Sequence, residues 1–164
     1  MSVNEDIAGI IEQENSLVFK SFDEEKALAI GLEIKRLIEA RGKAVSIDIR
    51  LWDRQIFGFA MKGTTADNHE WMRRKINAVK RYHRASYRLM LERGGEDAMK
   101  PRWGIDHADY VFAGGSFPLC VEGIGCVGAV TVSGLTGRED HALAVEALCA
   151  ILGANHDELA LRDK

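Results

Sequence analysis

The chain predicts an α+β fold, with five strands in one antiparallel sheet and helices packed over it in a three-layer, profilin-like or PAS-like manner. Three observations carry this expectation. Apolar residues recur at helical spacing in several long stretches, the period switches to two at Val45–Leu51, and the last third breaks into short apolar runs divided by glycines. A length of 164 residues, a 46% hydrophobic composition and only two prolines suit one cored domain over 1–164. Residues 1–18 read as an N-terminal helical extension of it.

Along the chain, Val3–Glu14 carries Ile7, Ile10 and Ile11 on one helical side. Ser21 with Glu24 has capping-box spacing, and Ala27, Ile30, Ile34, Leu37 and Ile38 continue a helix that Gly42 stops. In Val45–Leu51 every odd position is apolar and every even one polar, the pattern of a strand with one covered and one wet face. With 55–61 it makes a hairpin across Trp52–Arg54. Asp67 and Glu70 form a second capping box, opening one long helix from Asn68 to about Glu92. Further strands are expected at 110–114, 117–122 and 126–132. Thr136 with Glu139 caps a last helix presenting Ala142, Val145, Leu148, Cys149 and Leu152 inward.

Composition narrows the function classes. No run reaches the roughly 18 apolar residues of a membrane span. The start lacks a basic secretory region, so a cytoplasmic location is expected. Cys120 and Cys126 flank a possible hairpin turn, but an odd count of three and the absence of export features predict reduced thiols. A net charge of −3 disfavours a dedicated nucleic-acid binder. Arg73, Arg74, Lys75, Lys80, Arg81, Arg84 and Arg88 are basic, yet they wrap around their helix and form no stripe.

An ordered set of residues resembles the GlcG/HbpS-like, or haem-degrading-domain, superfamily. It runs through Phe57, Ala60, Gly63, Thr64, Asp67, Asn68, Trp71, Arg74, Lys75, Val79 and Ser86. It resumes at Asp109, Tyr110, Gly114–Pro118, Gly128, Val132–Leu135, Asp140 and His141. The likeness is closer to a branch of small cytosolic proteins with no settled activity. What it implies is the five-stranded α/β/α arrangement, assembly of subunits into a homodimer or larger homo-oligomer, and haem or iron as a possible cofactor. One departure stands in the first hairpin, where relatives carry Asp and Gly and this chain has Asp53–Arg54.

Lys75 is the first candidate for chemistry. It lies one helical turn beyond Trp71 and two beyond Asp67, so the three share a surface where an ammonium could meet an anion beside an indole. Desolvated, it could serve as base or nucleophile; otherwise it makes an interface or surface ion pair. Gly114, Gly115, Ser116 and Phe117, with Ser133 and Gly134, form glycine-bearing turns whose amides can approach a ligand, or simply end strands and cap a helix. Asn68 sits on the same helix entrance as Asp67. His141 is the best histidine for ligand or proton work, with Asp140 tuning it, although adjacent helix side chains diverge. His69, His83 and His107 lack metal-ligand spacing and read as structural.

Three functions remain open on this reading. The first is a binder of a small anionic metabolite between the Asp67–Lys75 face, the Gly114–Pro118 turn and the Ser133–His141 entrance. The second is a metal- or haem-assisted redox enzyme using Lys75, Asp140 and His141 as catalytic groups. The third is an oligomeric docking protein whose packing area comes from Trp71, Tyr82 and Tyr87.

Overall fold

A computed structural model describes residues 2–162. Its helices are α1 Val3–Ser16, α2 Glu24–Ala40, α3 Ala66–Tyr82, α4 Ser86–Arg93, α5 Gly137–Leu152 and α6 His156–Leu159. Its strands are β1 Val18–Phe19, β2 Ser46–Leu51, β3 Arg54–Ala60, β4 Ser116–Val121 and β5 Gly125–Ser133. They form one five-stranded sheet in the order β1-β4-β5-β2-β3. The α+β architecture is as expected.

The sheet is mixed where an antiparallel one was anticipated, because β1 pairs parallel with β4 through Val18–Cys120 and Phe19–Val121. The anticipated strand at 110–114 does not form. Val111, Phe112 and Ala113 are buried without joining the ladder. Phe112 instead packs with Ala78 and Leu89 beneath Tyr82 and Trp103. Burial alone explains that apolar run, which is why its composition imitated a strand.

Both faces of the sheet are covered. Ile47 and Ile49 of β2 join Phe117, Leu119, Val130 and Val132 in the main core with Ile30, Ile34 and Ile38 of α2 and Leu143 and Leu148 of α5. The even positions, expected in water, lie beneath α3. Ser46 is fully buried and Asp48 is 2% exposed. The Asp48 carboxylate is satisfied there by the Arg50 guanidinium, with bonds of 2.7 and 2.6 Å, and by Gln55 at 2.6 Å. A small hollow remains between this cluster and His69, Arg73 and Asn77 of α3.

The long central helix is two. His83 adopts a left-handed backbone (φ 53°) and ends α3 with its amide on the Val79 carbonyl. Its ring stacks on Trp52 with centroids 5.9 Å apart. Helix α4 then starts without a local side-chain cap, and Glu14 of α1 accepts from the Ala85 amide at 2.7 Å. Two capping boxes also differ from those read in the sequence. Asp23, not Ser21, caps α2, and Thr65 with Asn68, not Asp67 with Glu70, caps α3. The Thr136–Glu139 box forms as expected.

Residues of the N-terminal extension pack into the core through Ile10, Leu17 and Phe19. Asp6 pairs with Arg138 at 2.7 Å, and Glu14 pairs with Arg88 at 2.6 Å.

Cys120 and Cys126 are joined as a disulfide, against the expectation of three free thiols. They are direct cross-strand partners in the β4–β5 ladder, closed by the turn after Val121. Their register across the hairpin brings them together. Cys149 is free and buried, on the apolar helical face anticipated for it.

Candidate functional site

Three segments distant in sequence meet at one cleft of about 500 Å³. Helix α3 brings Asp67, Asn68, Trp71 and Lys75; the coil before β4 brings Ala113 and Gly114; and the β5–α5 turn brings Ser133 and Gly134 through Gly137, with Asp140 behind them. Of the borders read from the sequence, the Asp67–Lys75 face and the Ser133–His141 entrance contribute several lining residues, whereas the Gly114–Pro118 turn contributes Gly114 alone. Glu96, from the segment without periodicity, completes the rim and was not anticipated.

Lys75 lies at the floor and is only 3% exposed. Its Nζ donates to Asp140 Oδ2 and to the Val132 carbonyl, each at 3.1 Å. Asp140, 2% exposed, accepts the Leu135 amide at 3.0 Å on its other oxygen. Burial pushes both groups toward neutrality while each charge opposes the shift of the other. Lys75 falls below its ordinary value, and Asp140 rises to about 6. A buried pair held this way on a cleft wall is an unusual use of charge, since two such ions cost several kcal/mol each to desolvate.

The glycines make this geometry possible. A Cβ on Gly115, whose φ is +127°, would stand 2.5 Å from the Val132 carbonyl oxygen and 2.8 Å from Lys75 Nζ. One on Gly114 would stand 2.0 Å from the Gly137 carbonyl oxygen. The turn therefore brings the backbone close to the ion pair and to the entrance of α5.

Part of the α5 entrance is already occupied. The amides of Leu135, Thr136 and Glu139 are bonded to Asp140, Glu139 and Thr136 side chains. Those of Gly137 and Arg138 have no partner among the described residues, and of the two Gly137 lines the cleft. Trp71 stands at the rim with the Arg74 guanidinium 4.6 Å from its ring centroid. Asp67 and Glu96 make no ion pair with a described residue. The lining thus holds three carboxylates and one ammonium, and that ammonium is paired.

Ser116, Phe117 and His141 are not brought to the cleft. Ser116 bonds Thr131 at 2.8 Å inside the sheet, and Phe117 lies in the main core. His141 is fully buried between Tyr87 and Phe117. Gln13 Nε2 donates to the Leu159 carbonyl, which leaves Gln13 Oε1 to accept from His141 Nε2 at 2.8 Å. Nδ1 then has no partner among the described residues. Burial first, and the Arg138 charge second, hold this ring down at about 3. Asp140 and His141 point apart, one to the cleft and one to the core, as their adjacency on a helix requires.

Among the described residues, no group of three or more His, Cys, Asp or Glu side chains is placed to hold a metal ion, and no helix is long and apolar enough to cross a membrane.

Comparison with known proteins adds the following. The profile of the family described as haem degrading protein HbpS-like matches residues 22–149. The chain is 48% identical over 162 residues to the UPF0303 protein mlr5144 of Mesorhizobium japonicum, covering 98% of this chain and 97% of that one. A UPF0303 protein of Brucella ovis is 48% identical over 156 residues, covering 94% and 92%. Among solved structures, the Ybr137w protein superposes with a TM-score of 0.82 at 26% identity, covering 91% of this chain and 89% of that one. HbpS superposes at 0.65 and 21% identity over 80% and 90%. A PduOC:heme complex gives 0.64 and 18% over 81% and 95%. The last two are likenesses of fold.

Proposed function

We propose that this chain, which belongs to the HbpS-like family and to its UPF0303 branch, binds one small polar metabolite in the Lys75 cleft. The observation that carries the reading is the buried Lys75–Asp140 pair opening onto a 500 Å³ hollow. An anionic head, the feature anticipated from the sequence, fits beside Lys75 and the free Gly137 amide. The acidic rim restricts the rest of the molecule. Asp67 and Glu96 favour a ligand that offers hydroxyl or ammonium donors on its outer side, while Trp71 covers an apolar part.

Haem, named for one structural neighbour, does not fit this cleft. Its lining contains no His, Cys, Met or Tyr to serve as an axial ligand, and His141 is sealed in the core.

Calorimetry with a panel of small carboxylates and phosphates, with and without amine or hydroxyl groups, tests the binding reading. Trp71→Ala, at the rim, is expected to weaken the preferred ligand about tenfold, roughly 1.4 kcal/mol, without altering the fold. Absence of binding across the panel, with unchanged metal and porphyrin content by native mass spectrometry, would sink it.

Assembly is a second proposal with its own support. Tyr87 and Tyr82, expected at an interface, complete the monomer instead, for Tyr87 is 4% exposed and Tyr82 packs on Phe112. Leu28 and Leu32 on α2 and Phe59 on β3 are exposed large apolar groups, and β3 is an unpaired edge of the sheet. A homodimer through β3 and α2 covers them. Light scattering should give a dimeric or larger mass for wild type and a smaller one for Leu32→Glu with Phe59→Glu. A monomeric wild-type mass at all micromolar concentrations rejects assembly.

A further inference from the structure

We propose that the Cys120–Cys126 disulfide is a reversible thiol-exchange site, opened and closed by small thiols of the glutathione class, and that its state is felt at β1. The ladder holds the two cysteines together independently of the bond. Cys120 of β4 lies directly opposite Cys126 of β5. The next pair, Val121 with Gly125, closes the hairpin, and the Ile124 amide donates to the Val121 carbonyl at 3.0 Å. On the other side Leu119 pairs with Gly128. Opening the sulfur bridge therefore leaves two thiols facing each other, and closing it again is an intramolecular step at high effective concentration.

Two further features separate this pair from a structural staple. A disulfide constrains the unfolded chain through the loop that it closes. This one spans a separation of only six residues, in a turn that the backbone already closes. Both cysteines are half-buried beside the exposed turn 122–125, so a thiolate from solution can reach the bridge, as exchange requires. Cys149, by contrast, is 1% exposed in the main core and out of reach.

The reaction balances with the thiol named. A glutathione thiolate attacks one cysteine sulfur, the S–S bond breaks, and the other cysteine leaves as a thiolate. That thiolate takes up the proton that the attacking thiol gave to water. A second glutathione attacks the mixed disulfide in the same way, releasing the second protein thiol and oxidised glutathione. The protein pair gains two electrons and two protons, supplied by two thiols that become one disulfide. Oxidised glutathione reverses the sequence.

The consequence lies in β1. This strand has two residues, and its ladder partners are Cys120 and Val121. The Glu122 amide adds a bond of 2.8 Å to the Phe19 carbonyl. β1 is thus anchored on the stretch of β4 that the disulfide ties to β5, and in the chain it joins α1 to α2. Reduction frees that stretch to part from β5, and the hydrogen bonds of β1 open more often.

Rapid alkylation with peptide mapping tests the exchange, on folded protein equilibrated at pH 7 over a series of reduced to oxidised glutathione ratios. Cys120 and Cys126 are expected to pass together from unlabelled to labelled across the series and to return on transfer to oxidised glutathione. Cys149 should stay unlabelled throughout. A bridge that stays closed at the most reducing ratio, or one that opens only as Cys149 is labelled, is a structural staple and overturns the proposal. So does a pair of thiols that oxidised glutathione fails to close. Cys126→Ser leaves Cys120 without its resolving partner and should accumulate a mixed disulfide with glutathione there; no adduct rules out the access that exchange needs. Hydrogen exchange read by mass spectrometry tests the consequence. Peptides covering 17–19 and 120–126 should exchange about tenfold faster in the reduced protein, with those of α2 unchanged. Equal rates in the two states would show that β1 does not sense the bridge and would remove that half of the proposal.

Discussion

Lys75→Met is expected to lower stability at pH 7 by about 3–5 kcal/mol, and pairing it with Asp140→Asn should return most of that loss. The single change strands a carboxylate that is 2% exposed, with only the β5–α5 turn amides to satisfy it. Asparagine in the double variant keeps an oxygen for the Leu135 amide and leaves no buried charge. The sign of the pH dependence follows from Asp140. Its affinity for a proton is already raised to about 6 in the presence of Lys75, and it rises further without that cation. At pH 5 the stranded carboxyl is therefore protonated, and the cost of Lys75→Met shrinks. Urea unfolding of both single variants and the double at pH 7 and 5 measures this. If the losses of the two single variants simply add in the double, the pair is not coupled and the reading of the cleft floor is wrong.

This pair also marks how far the sequence could be read. Helical spacing was enough to place Asp67, Trp71 and Lys75 on one face of α3, because that relation is local. Glycines in the Gly114–Gly115 and Ser133–Gly134 turns signalled a close backbone approach, and the structure has one. What they approach was not legible. Gly115 stands against Lys75, Asp140 and the Val132 carbonyl, so its first use is to build the protein's own ion pair. Glu96 was missed because its segment has no period and is positioned by packing of Phe112, Trp103 and Arg93. The break at His83 was missed for a related reason. Tyr82–Ala85 contains neither glycine nor proline, and the left-handed turn is supported by stacking on Trp52, far away in sequence. Near Thr65 several side chains can cap, and two pairs have the required spacing; only tertiary position chooses Thr65 with Asn68. In β2 the alternation was right and the environment wrong, since α3 covers the polar face and Arg50 and Gln55 satisfy Asp48 there.

Wild-type stability should change little between pH 6 and 4 on account of Asp140 and His141, because these two neighbours titrate in opposite senses. His141 is held at about 3, below its ordinary 6.5. Its neutral burial contributes stability that is complete above 6.5 and is lost as pH falls toward 3, at about 1.4 kcal/mol per pH unit. Asp140 is raised from 3.8 to about 6. Its contribution is complete below 3.8 and is lost as pH rises through 6, with the same slope and the opposite sign. Between 6 and 4 the unfolded chain takes up a proton on the histidine while the folded chain takes one up on the aspartate, so the slopes cancel. Glu139, held at about 2 by Lys43 and Thr136, gives up its contribution only below 4.5, at the lower end of this window. Asp140→Asn removes one side of the balance and should uncover acid destabilisation of about 1.4 kcal/mol per pH unit over this interval. His141→Phe removes the other side and should make the folded state gain stability on acidification, even though the bond to Gln13 is lost and the absolute stability is lower. Chemical denaturation in half-unit pH steps distinguishes the three chains. A full one-proton slope in the wild type that Asp140→Asn leaves unchanged would show that Asp140 is not raised.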